Sequence, residues 1–113
     1  MSDIPQRILR AAVLSGFAAL ALSVPLHAQA GAAKVFNTNC TLCHGAEGGG
    51  DTPTGKALKA KDLRSSEVQS QTDAELASVI GKGRGKMPAF EKKFSPDVIN
   101  SLVAYIRQFA KKS

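Results

Sequence analysis

The stretch Cys40-Thr41-Leu42-Cys43-His44-Gly45 decides how this chain is read. Its two cysteines, three residues apart, have four possible chemistries: a local disulfide, a redox pair, two legs of a metal site, or anchors for a haem. On a helix turning about 100° per residue, Cys43 and His44 lie one turn beyond Cys40, so all three side chains project into a wedge about 100° wide. That suits two thiols gripping one edge of a flat ring while an imidazole points at its centre. Cys-x-x-Cys-His is also the attachment signature for haem c, in which the thiols add to the vinyl groups and the histidine ligates iron.

The alternatives ask for more than the chain supplies. A thioredoxin-like pair wants a preceding strand and a parallel sheet, and no window of the sequence alternates as a strand does. A structural zinc site wants four ligands. A disulfide between Cys40 and Cys43 with an incidental histidine stays open, although so short a loop would stabilise little.

Working outward, the first 30 residues are expected to be an export signal. Arg7 and Arg10 form a basic start, Ala11 to Leu26 is a mostly apolar run of 16, and Ala28-Gln29-Ala30 is a small-x-small cleavage site. The run is short for a membrane span and is broken by Gly16 and Pro25. Residues 31–113 are then expected to be a soluble 83-residue domain, with a periplasmic location and no stable membrane insertion.

Without Arg7, Arg10 and Asp3, the 15 basic and 9 acidic residues of the whole chain fall to 13 and 8, a formal balance of +5. That excess favours acidic partners, and nucleic acid is not expected in that compartment. A domain of this size buries only about 60% of its unfolded surface and often needs a staple such as a disulfide, a metal or a large cofactor.

The remaining punctuation reads as helices and loops. Residues 32–43 suit a short helix closed by Gly45, and residues 45–55 read as a loop. Residues 56–66 hold at most a helical turn or two. Thr72 and Glu75 form a capping box, followed by the stripe Leu76, Val79, Ile80 and a stop at Gly81 and Gly83. Residues 83–94 form a second loop. Ser95 caps a last helix that Pro96 opens and Asp97 favours through the helix dipole. Along it Val98, Ile99, Leu102, Val103, Ile106 and Phe109 recur at helical period, with Lys111 and Lys112 at its end. The expected fold is all-α, three to four short helices.

In residues 31–113 the only histidine is His44 and the only methionine is Met87. If iron takes a second axial ligand from the protein, Met87 is the natural one, because a thioether is a soft ligand that favours reduced iron. A lone methionine is more often core filling. Here, however, Pro88 biases it toward extended backbone, and Gly83 and Gly85 let the chain approach a flat surface. The other ring N–H of His44 needs an acceptor, expected as a carbonyl of the 45–55 loop near Pro53.

Through FNTNCTLCHG, GKGRGKMPAF and LVAYI, nearly all of residues 32–110 resembles the small class I c-type cytochromes, the exported monohaem carriers of bacteria. The resemblance implies one covalent haem c held by Cys40 and Cys43, with His44 and Met87 as axial ligands. It also implies a cytochrome c fold in which the first and last helices cross, with Phe36 packing near Tyr105. Ala32 stands where many members have glycine, so a slightly wider or shifted crossing is expected.

The implied activity is one-electron transfer between respiratory or photosynthetic complexes, with no catalysis because no iron position is open. The protein is expected to be a monomer. Lys82, Arg84, Lys86, Lys92 and Lys93, opposed only by Glu91, would steer redox protein partners with acidic docking surfaces. Two other classes stay in view: a haem-bearing subunit of a larger oxidoreductase, and a small haem redox enzyme with a labile Met87.

Overall fold

The structure is a computed structural model, and it describes residues 26–110. The expected signal therefore lies mostly outside the described residues, as do Lys111 and Lys112. In chain order the helices are α1 (Leu26–Asn39), α2 (Thr41–His44), α3 (Pro53–Leu58), α4 (Ser66–Gln69), α5 (Asp73–Lys82) and α6 (Pro96–Phe109). Among the described residues the only bridge pairing is an isolated one between Arg84 and Met87, so the fold is all-α as expected. Among the described residues the helical segments number six instead of three to four, because α2, α3 and α4 are one to two turns each.

The expected helix over 32–43 is divided at Cys40. Side chains compete there for backbone carbonyls: Asn39 Nδ2 donates to Val35 O at 2.8 Å, and Thr41 Oγ1 donates to Asn37 O at 2.8 Å. Cys40 N donates to Phe36 O, and Cys40 O accepts from the His44 N–H, so helical bonding carries on from α1 into α2 across Cys40. Upstream, α1 begins six residues earlier than expected, running unbroken through the alanine-rich stretch that includes Ala30.

The capping box of α5 is present in both directions, with Glu75 N donating to Thr72 Oγ1 and Thr72 N donating to the Glu75 carboxylate. Ser95 caps α6 by accepting from Val98 N, and Pro96 opens it. Thr52 does the same for α3, accepting from Gly55 N at 2.9 Å with Pro53 at the first helical position. The 45–55 stretch is thus loop only as far as Thr52.

α6 packs against both α1 and α5. Phe36, Leu102 and Phe109 are buried almost completely; burying side chains of this kind contributes about 1.5–3 kcal/mol each. The Phe36 and Tyr105 rings meet with centroids 5.2 Å apart, and Phe109 completes the cluster at 5.2 Å from Phe36. Ala32 is itself buried. α2 and α3 pack so closely that a Cβ on Gly55 would overlap the Cys43 carbonyl oxygen, so only glycine fits.

Candidate functional site

α2 and its N-cap carry Cys40, Cys43 and His44. Thr52 braces them from the neighbouring segment: its hydroxyl donates to Leu42 O at 2.6 Å while accepting from Gly55 N. One side chain therefore caps α3 and ties it to the cysteine segment. Both thiols are free and half-buried. Burial pushes the Cys40 thiol up to about 11, with the nearby Cys43 adding to the rise, which is opposite to the lowered pKa of a redox-active pair. Among the described residues no three His, Cys, Asp or Glu side chains converge as a metal site would require.

His44 Nδ1 lies 2.9 Å from Lys61 O. A carbonyl only accepts, so Nδ1 carries the proton and Nε2 keeps its lone pair for a metal. This corrects the expected acceptor: it stands at Lys61, not in the 45–55 loop near Pro53, which is occupied in opening α3. Lys61 belongs to a strap, residues 60–63, without regular structure. The strap is fastened by Ala60 N to Gly55 O at 2.8 Å and by Leu63 N to Gly48 O at 2.7 Å. Next along it, hydrogen bonds from the Arg64 side chain and backbone hold the Asp62 carboxyl below the usual carboxylate range.

Met87 arrives from the 83–94 loop. Arg84 N donates to Met87 O at 3.1 Å and Met87 N to Arg84 O at 2.9 Å, forming a tight turn. Phe90 N and Glu91 N donate to Gly81 O, pinning the loop to the end of α5. Gly83 enters the turn at φ 74°, and a Cβ there would stand 2.7 Å from Met87 O, so both its conformation and its surroundings demand glycine.

Cys40, Cys43, His44 and Met87 all line one cleft of about 510 Å³, walled by Phe36, Leu76, Ile80, Phe90, Leu102 and Ile106. Leu42 and Leu58 line the same cleft and are 70% and 38% exposed. The volume and the apolar walls fall in the range of cofactor sites. Two thiols on one element, an imidazole with a lone pair available and a thioether from another element form a donor set that suits a haem held at its edge and on its iron.

Of the basic residues around the Met87 loop, Lys82, Arg84, Lys86, Lys92 and Lys93 are all exposed. Lys93 is committed elsewhere, donating to Asn39 Oδ1 at 2.8 Å and standing 5.7 Å from the centre of the Phe94 ring. The parts that sequence reasoning missed are the Thr52 brace and the Lys61 carbonyl. The first had a signal, a threonine directly before a proline. The second had none, since a backbone carbonyl 17 residues from its donor leaves no local pattern.

Residues 27–106 match the family model described as cytochrome c oxidase, cbb3-type, subunit III. The chain is 40% identical to cytochrome c6 of Leptolyngbya boryana, over 70% of this chain and 89% of that one. It is 31% identical to cytochrome c6 of Gloeothece citriformis over 99% of this chain and 98% of that one. Among solved structures, the KustC0563 c-type cytochrome superposes with a TM-score of 0.64 at 29% identity, covering 69% of this chain and 95% of that one. With the cleft, the attachment motif and the helical frame, these likenesses carry one conclusion: the chain belongs to the c-type cytochromes and is an electron carrier with covalently attached haem c.

Proposed function

We propose that this cytochrome is a soluble, monomeric, periplasmic carrier released by removal of residues 1–30. In it Cys40 and Cys43 hold the haem, and His44 and Met87 ligate its iron from opposite faces. One observation carries the reading: His44 and Met87 reach the same cleft from different elements, α2 and the 83–94 loop, with His44 Nδ1 already engaged by Lys61 O. Haem, when bound, supplies one-electron chemistry at iron. The chain's own residues attach it, orient the imidazole and shut water out with Phe36, Leu76 and Ile80. Held by His44 and Met87, the iron would have no position open to a substrate, which fits a carrier and not a catalyst.

The test is the absorption spectrum of the exported protein, oxidised and reduced, with a covalent haem stain after denaturation. Stained polypeptide and a methionine-to-iron band in the oxidised state are expected. A stained chain lacking that band would leave attachment standing and remove Met87 from the iron.

A second reading, a haem-bearing subunit held in a larger complex, is favoured by the oxidase-subunit description of the matched family model. Fractionation separates the two: the carrier elutes as a monomer without the membrane fraction, whereas the subunit stays with a complex.

The docking reading narrows to Arg84 and Lys86, which are exposed and line the cleft. Electron transfer with an acidic partner protein is expected to slow by about tenfold or more from low to high salt, as steering is screened. Arg84→Glu with Lys86→Glu should flatten that dependence. A rate indifferent to salt in the unaltered protein would rule out electrostatic docking.

A further inference from the structure

We propose that Gln69, oriented by Arg107, is a positioning residue for the His44 ring. It holds the 60–63 strap where the Lys61 carbonyl accepts the Nδ1–H hydrogen bond. The proposal rests on His44 as an iron ligand and adds a device that acts on that ligand from outside the cleft.

The strap has no helical bonding of its own, so its height over His44 is set by tethers. Two of them, Ala60 N to Gly55 O and Leu63 N to Gly48 O, lead back to the side of the molecule that carries α2 and α3. Lys61 Nζ also pairs with Glu67 of α4 at 2.8 Å, and a further tether leads to α6: Gln69 Nε2 donates to Leu63 O at 2.7 Å and to Ile106 O at 3.0 Å. One amide thus joins the strap to the last turn of α6. Leu63 and Ile106 both line the cleft, so their relative position bears on the haem pocket.

Arg107 fixes which way that amide faces. Its Nη1 donates to Gln69 Oε1 at 3.3 Å, and a guanidinium has only donors, so the amide NH₂ must face the two carbonyls. Arg107 is itself held by Gln69 O at 2.8 Å, by Gln71 O at 2.6 Å and by the Asp73 carboxylate at 2.8 Å. Four acceptors around one cation leave the guanidinium a single setting, and through it Gln69.

The consequence reaches His44 through its hydrogen bond. A firm Nδ1–H to carbonyl bond raises the basicity of the imidazole and favours oxidised iron. Loosening the strap weakens that bond, so the midpoint potential rises and the ring proton exchanges faster.

The experiment uses holoprotein carrying Gln69→Leu, which removes donor and acceptor at similar size. A second variant, Gln69→Glu, keeps the contact with Arg107 and removes the donors. Ser95→Ala, which loosens α6 at its opposite end, is the control. Exchange of the His44 Nδ1 proton is followed by NMR in the reduced state, beside midpoint potential and Tm.

Both Gln69 variants should exchange at least tenfold faster and show raised potentials, while Ser95→Ala lowers Tm and leaves both unmoved. Gln69→Glu with unchanged exchange and potential would overturn the proposal, as would a lowered Tm in Gln69→Leu with neither readout moved. In the oxidised protein, His44 ring protons carry large paramagnetic shifts only if the imidazole is on iron. Their absence would remove the ligand reading and this proposal with it; their presence beside an indifferent Gln69 would remove this proposal alone.

Discussion

Met87→Ala is expected to lower the midpoint potential by a few hundred millivolts, within the ~0.8 V that axial ligands span, and to let added imidazole or cyanide bind. The haem should remain attached, because the attachment is assigned to Cys40 and Cys43 on a different element. The thioether is the only soft donor that the 83–94 loop offers the cleft; alanine cannot reach as far and leaves an opening beside Phe90 and Ile80. Replacing a sulfur ligand by water or a harder ligand removes the preference for reduced iron, which fixes the sign. Met87 also packs partly into the core, so some stability is lost, toward the lower end of the ~2–5 kcal/mol seen for buried truncations. Potentiometry and a ligand titration check this. An unchanged potential and no ligand uptake would return Met87 to the role of core filler, and uptake of ligand by the unaltered protein at the same concentrations would favour the enzyme reading.

The features legible in the sequence are those whose physics is local. The attachment motif, Cys40 to His44, spans five residues, and its spacing speaks for itself on a helix. The Thr72–Glu75 box and the Ser95–Pro96 start each satisfy orphan N–H groups within one turn, so composition alone locates them. A family likeness points to Phe36 and Tyr105, but the third ring, Phe109, is legible only as part of a stripe, and its place against both depends on how α6 packs on α1.

Thr52 and Pro53 were legible and misread, because the glycines before them and the proline itself look like turn chemistry when the helix that follows is only six residues long. The Lys61 carbonyl and the Gln69–Arg107 clasp were not legible at all. Backbone acceptors carry no residue signature, and a contact such as Arg107 with Gln71, 36 residues apart, exists only once α4 and α6 have docked.

Preventing haem attachment, by Cys40→Ser with Cys43→Ser, is expected to abolish cooperative unfolding and most of the helical circular dichroism. The reason lies in how the core is shared. Of the buried core cluster, every member except Ile99, Val103 and Phe109 also lines the cleft, so most of the apolar interior has one side that only a cofactor covers. At about 24 cal/mol per Å³, a cleft of about 510 Å³ carries a ceiling of ~12 kcal/mol. Water entering past Leu42 and Leu58 reduces that figure, yet it stays comparable with the ~5–15 kcal/mol by which small domains are stable at all. Thermal melts followed at a helix wavelength decide the matter. A sloping, midpoint-free trace is expected for the double serine variant, against a sharp transition for the haem-loaded protein. A cooperative transition in the haem-free chain would mean that the Phe36, Tyr105 and Phe109 cluster, with the caps of α5 and α6, holds the fold alone, and the haem would then be a passenger in a frame already built.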